Sequence, residues 1–115
     1  MSRDEATLAD ILKAARLVVS FVQGIDKAAF MADAKTQSAV LHQLLVLGEA
    51  VLRLTAEFCQ RQPGIPWRQI AGMRNILIHE YDDVDLEEVW RTVGTDIPAL
   101  IAHVGALVAP ACRGD

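Results

Sequence analysis

Nine consecutive residues, Met73-Arg74-Asn75-Ile76-Leu77-Ile78-His79-Glu80-Tyr81, hold the side chains best suited to chemistry. Arg74 is a permanent cation whose planar fork of donors matches phosphate oxygens. His79 is the side chain best able to exchange protons near neutral pH. Asn75 can orient a neighbour or hold an oxygen, and Tyr81 offers a hydroxyl that can bind, donate or be modified. Between them lie apolar residues. A cation, a proton-transfer group and a hydroxyl on one short helix suit the handling of a phosphodiester.

Helix geometry constrains how such a group works. At about 100° per residue, Asn75 and His79, four apart, share a side of the helix, and Arg74 and Tyr81, seven apart, share another. Arg74 and His79 are five apart and point about 140° away from each other. Joint use of the two requires the helix to unwind near His79, or a cleft shared with a second subunit, where symmetry supplies two copies of each.

The elements that position these residues read as helices throughout. Ser2 and Glu5 fit a capping box, and Leu8, Ile11, Leu12, Ala15, Val18, Val19 and Val22 then recur at helical spacing. Gly24 suits the end of that helix, and Asp26 to Met31 a short helical turn. The longest element is predicted from about Asp33 to about Arg61, on Val40, Leu44, Leu47, Val51, Leu54 and Phe58, with a second stripe of Leu41, Leu45, Gly48 and Leu52. Glu49 falls in that pattern, and on the residues alone one reading of it is a charge on the solvated side. Gln62-Pro63-Gly64 breaks the helix, and Pro66 opens the next, which carries Trp67, Ile70, Met73, Leu77 and the Arg74–Tyr81 group. Asp85 and Glu88 fit a cap and its partner for a last helical region, with a kink or a break at Gly94 and Pro98. His42, His103, Trp67 and Trp90 read as structural or surface residues.

The 115 residues are 52% hydrophobic and 5% aromatic, so the apolar mass is mostly Ala, Leu, Val and Ile. One domain is expected over residues 1–109, with 110–115 a frayed tail. The fold class is all-α, an antiparallel bundle of four to five helices. So apolar a short chain points to a homodimer. Eleven Lys and Arg against fifteen Asp and Glu give a net charge of −4, which excludes a general basic nucleic-acid binder; any RNA contact rests on local arginines. Cys59 and Cys112 form no zinc pattern, and the acidic run Glu80, Asp82, Asp83, Asp85 does not match a calcium loop, so no metal or cofactor is expected. Without a signal-peptide layout or an apolar run of membrane length, a soluble cytoplasmic chain is expected.

Arg74, four residues, His79, one residue and Tyr81 resemble the Arg-x4-His-x-Tyr signature of the HEPN superfamily, in its HepT-like toxin branch. Gly48-Glu49-Ala50, Ile65-Pro66-Trp67, Ile70-Ala71-Gly72-Met73-Arg74-Asn75, Val84-Asp85 and Val89-Trp90 are similar to the same branch, so the resemblance spans about residues 4–108. It implies a HEPN-like homodimer with the signature at the dimer cleft, and metal-independent RNA cleavage by attack of a 2′-hydroxyl. In that reading His79 is general acid or base, Arg74 stabilises charge on the phosphate, and Asn75 and Tyr81 position substrate. The resemblance also implies a structural or near-site role for Glu49 next to Gly48. It further implies a toxin–antitoxin pair with a minimal nucleotidyltransferase partner that transfers AMP to Tyr81. The alternative is a non-catalytic HEPN module that binds a nucleotide or a protein. The acidic run would repel RNA, which narrows the substrate toward one structured RNA such as a transfer RNA.

Overall fold

In the computed structural model, residues 3–112 are described, with side chains up to Val108. Four long helices dominate: α1 (Arg3–Phe21), α3 (Ala34–Leu52), α5 (Trp67–His79) and α7 (Ile97–Cys112). Short helices α2 (Lys27–Met31), α4 (Ala56–Arg61) and α6 (Leu86–Arg91) link them, and no strand occurs among the described residues. The all-α bundle is as expected. Helix α3 is its centre, with α1 on one side and α5 on another, while α7 packs on α1. Ile11, Ala15, Val18, Val40, Leu44, Leu47, Ile97 and Val104 are almost fully buried where these helices meet.

Local chemistry explains the joints. Gly24 ends the first segment with φ +77°, a conformation that suits a residue without Cβ. The Asp26 side chain caps α2 through Ala29 N–H, and Asp33 caps α3 through Thr36 N–H. The amide of Gln37 donates to the Phe30 and Met31 carbonyls, satisfying the end of α2. Ser2, the expected cap of α1, lies outside the described residues.

Four expectations are corrected. The long helix does not run unbroken from Asp33 to Arg61: α3 stops at Leu52, and α4 starts after Thr55. Thr55 is extended (φ −70°, ψ 151°), and its hydroxyl accepts from Phe58 N–H as an N-cap. The same residue donates its N–H (3.0 Å) and its hydroxyl (2.7 Å) to the Asp4 carboxylate on α1. A contact across 51 residues thus outcompetes helical continuity. Second, Glu88 does not complete a capping box. Asp85 caps α6 alone through Glu87 and Glu88 N–H, while the Glu88 carboxylate pairs with Arg91 at 2.6 and 2.9 Å. Third, of the kink or break expected at Gly94 and Pro98 the break does not occur: a π-helical stretch, Thr92–Asp96, keeps α6 and α7 continuous, and Ile97 N–H reaches the Thr92 carbonyl, five residues back. Pro98 has no N–H to return to Gly94, which favours the wider turn. Fourth, α7 continues through Pro110 to Cys112, into the segment expected to fray.

Helix α5 rests on α3 and has no comparable packing against any other long helix. On its other flank a groove of about 480 Å³ separates Gln69, Met73 and Ile76 from Val89, Ile97 and Leu100.

Candidate active site

The start of α5 is anchored by Trp67, whose indole N–H donates to the Gln62 carbonyl (3.0 Å) and whose ring meets Phe58 at 6.0 Å. Trp67, Ile70 and Leu77 are buried along the line that faces α3, and Arg74 falls on that line. The backbones come close there because α3 presents Gly48. A Cβ on Gly48 would lie 3.0 Å from Arg74 Cβ and 3.4 Å from the Ile70 carbonyl. A larger residue would wedge the helices apart.

This close approach fixes the arginine. Arg74 Nε donates to Glu49 Oε1 at 2.7 Å, and the two side chains are 31% and 45% exposed. Among the described residues the outer guanidinium nitrogens of Arg74 have no protein partner. They are available to an anion. Glu49 is therefore the ion-pair partner of Arg74, not merely a charge in water. The sequence left both readings open, because helix periodicity does not report which residues of two helices face each other.

His79 is the last residue of α5, exposed, and Asn75 is exposed one turn earlier. Neither side chain makes a hydrogen bond among the described residues. The helix is regular up to His79, so no unwinding before it turns His79 toward Arg74. Immediately beyond, Glu80 leaves helical geometry (φ −132°), and Tyr81 opens a 3₁₀ turn through Asp83. Tyr81 is 49% exposed, and on α5 Ile76 is 48% and Ile78 44% exposed, on different flanks of the helix. One chain therefore brings together Arg74 with Glu49, and Asn75 with His79, as two groups on different sides of α5.

The other candidates have structural roles or lie open. His103 Nε2 sits 3.3 Å from Gln62 Oε1, with its ring against Gly64, and His42 is exposed. Trp90 packs on Phe30 at 5.2 Å. Burial pushes the Cys59 thiol up, away from the thiolate a nucleophile needs. Among the described residues no three His, Cys, Asp or Glu side chains are grouped to hold a metal ion, and no helix is long and apolar enough to cross a membrane.

The family described as ribonuclease HepT-like matches residues 11–107. The protein named "Probable ribonuclease HepT" of Thermococcus cleftensis is 43% identical over 93 residues, 81% of this chain and 84% of that one. A candidate RNase of Methanocaldococcus jannaschii is 35% identical over 100 residues, 87% of this chain and 92% of its own. A candidate RNase of Caldanaerobacter subterraneus is 38% identical over 97 residues, covering 84% and 87%. No solved structure gives a significant match.

Proposed function

The chain belongs to the ribonuclease HepT-like family, and from that premise we propose that it is a metal-independent endoribonuclease working as a homodimer. The carrying observation is the division of the site. Arg74 is held on the α3 side of α5 with its outer nitrogens open, while His79 stands exposed and unbonded at the helix end. They diverge by about 140° on a regular helix. A second copy placed across this end of α5 supplies the missing direction, and the exposed Ile78 and Tyr81 offer it apolar surface away from the groove that Ile76 lines.

In this reading a 2′-hydroxyl of RNA attacks the adjacent phosphorus. The bond to the 5′-oxygen breaks, leaving a cyclic phosphate and a 5′-hydroxyl. His79 takes the proton from the 2′-oxygen, and an acid, a role we give to the His79 of the second copy, returns one to the leaving oxygen. Arg74 stabilises the charge that gathers on the phosphate, and Glu49 holds the guanidinium in place. Asn75 orients His79 or a phosphate oxygen. We further assign the chain to a toxin–antitoxin pair whose nucleotidyltransferase silences it at Tyr81.

The test is cleavage of transfer RNA and messenger RNA in excess chelator. Cleavage should persist, and should fall at least about 10²-fold in His79→Ala and Arg74→Ala at unchanged circular dichroism. Undiminished cleavage by His79→Ala would remove it from the chemistry. Glu49 and Arg74 joined at 2.7 Å favour a second reading, a non-catalytic module that binds a nucleotide or protein, because a neutralised arginine attracts phosphate less. Nucleotide binding with no RNA loss in the same assay would select it.

A further inference from the structure

Between Phe58 and His79 the chain carries no Asp or Glu, but it holds Arg61, Arg68 and Arg74. Directly after His79 come Glu80, Asp82, Asp83, Asp85, Glu87 and Glu88 without a Lys or Arg among them. The candidate histidine thus sits on a charge boundary. Toward the start of α5 the surface is cationic or neutral; toward α6 it is acidic, and Glu80, Asp82, Asp83 and Asp85 are exposed without a cation paired to them among the described residues.

Arg68 lies on the favourable side. It is exposed and, among the described residues, no carboxylate pairs with it, whereas Arg53, Arg74 and Arg91 are each paired with an acid. Its spacing is specific. Arg68, Gly72, Asn75 and His79 are separated by four, three and four residues, so they form one stripe down the outer face of α5, opposite the buried Trp67, Ile70 and Leu77. Gly72 leaves open space in the middle of that stripe. Arg68 and His79 are eleven residues apart, about 16 Å along the axis at about 1.5 Å per residue. At roughly 3.4 Å of helix axis per nucleotide of one duplex strand, that span corresponds to several nucleotides. Arg68 therefore cannot reach the phosphate at His79.

We propose that Arg68 is a positioning residue that binds a backbone phosphate several nucleotides from the bond being cut, so that the RNA strand lies along the outer face of α5 from His79 toward Arg68 and away from the acidic turn. The proposal rests on the ribonuclease reading and adds the direction of the strand and the residue that sets it. Arg68 acts through substrate placement and touches no reacting atom.

The experiment separates the two ideas. RNA binding is followed by fluorescence anisotropy in the full-length His79→Ala protein, with a labelled single-stranded 12-mer, across a salt series. Adding Arg68→Gln should weaken binding several-fold and lower the salt slope by about 0.7, the value of one phosphate contact on a single strand. Arg68→Lys should restore the slope, and Arg16→Gln, an exposed cation on α1, should leave it unchanged. In protein retaining His79, Arg68→Gln should raise KM on the 12-mer several-fold with kcat little changed, and should not alter cleavage of a dinucleotide, which is too short to reach Arg68. An unchanged salt slope and KM in Arg68→Gln, with cleavage by the parent intact, overturns this proposal alone. Binding with the Arg68 effect but no cleavage overturns the catalytic reading alone. No RNA binding by the parent overturns both.

Discussion

At the scale of single residues, the candidate site is a set of side chains left open to solvent. Asn75, His79 and Tyr81 are exposed, and Arg74 keeps its outer nitrogens after Glu49 has taken Nε. Tyr81 has the sharpest consequence. It begins the turn two residues past His79, so a phosphate-linked adenylate on its hydroxyl would bring bulk and negative charge to the end of α5. Such a group competes with an RNA phosphate for Arg74. Tyr81→Phe keeps the ring and removes the acceptor oxygen. Incubated with the proposed nucleotidyltransferase partner and ATP, wild type should gain the mass of an adenylate, and Tyr81→Phe should not. An equal gain in both would place the modification elsewhere. The grouping of Asn75 with His79, and its divergence from Arg74, was legible from spacing alone. The ion pair between Arg74 and Glu49 was not, because it depends on how α3 and α5 are set against each other, and Gly48 decides that.

At the scale of elements, the boundaries set by local caps were readable and those set by distant contacts were not. Asp26, Asp33 and Asp85 cap α2, α3 and α6 from within their own turns. Thr55 ends the long helical pattern because Asp4, on another helix, binds it. Two of these carboxylates also make stability depend on pH. The hydroxyl and then the N–H of Thr55 hold Asp4 below the usual carboxylate range, and the hydroxyl and N–H of Thr36 do the same for Asp33. Each titrates lower folded than unfolded. Their stabilisation is therefore complete above the ordinary carboxylate pKa of about 4 and is lost as pH falls below it toward the folded values. Urea unfolding followed from pH 7 to pH 2.5 should show a steep acid limb. The limb should flatten in the double variant Asp4→Asn, Asp33→Asn, which retains capping groups but cannot titrate. An identical limb in that variant would assign the acid sensitivity to other groups.

For the molecule as a whole, the all-α bundle followed from the apolar spacing and the scarcity of aromatics. The arrangement of two copies did not, since periodicity describes one helix at a time. The dimer is argued from surface. Among the described residues five large apolar side chains are exposed, Leu52, Ile76, Ile78, Tyr81 and Leu107, and Ile78 and Tyr81 lie at the end of α5. Light scattering at micromolar concentration should return twice 12.6 kDa. Ile78→Glu places a charge in that patch and should shift the mass to that of one chain while leaving helicity unchanged, and cleavage should fall with it. A wild-type mass of one chain, with full activity, would show that a single copy assembles the site.

The support of α5 from one side only also sets a clock. A helix held by a single long neighbour, with a groove on its other flank, opens at a lower free energy than the centre of the bundle. Amide hydrogens of Ile70 to Leu77 should then exchange with solvent faster than those of Val40 to Leu47, and the gap should narrow as protein concentration rises and a second copy braces the helix. Equal rates in both segments would mean that the bundle opens only as one unit. The segment that carries the chemistry would thus be the first to meet a protease when the chain is alone, so the active lifetime of a free copy would be shorter than that of a paired one.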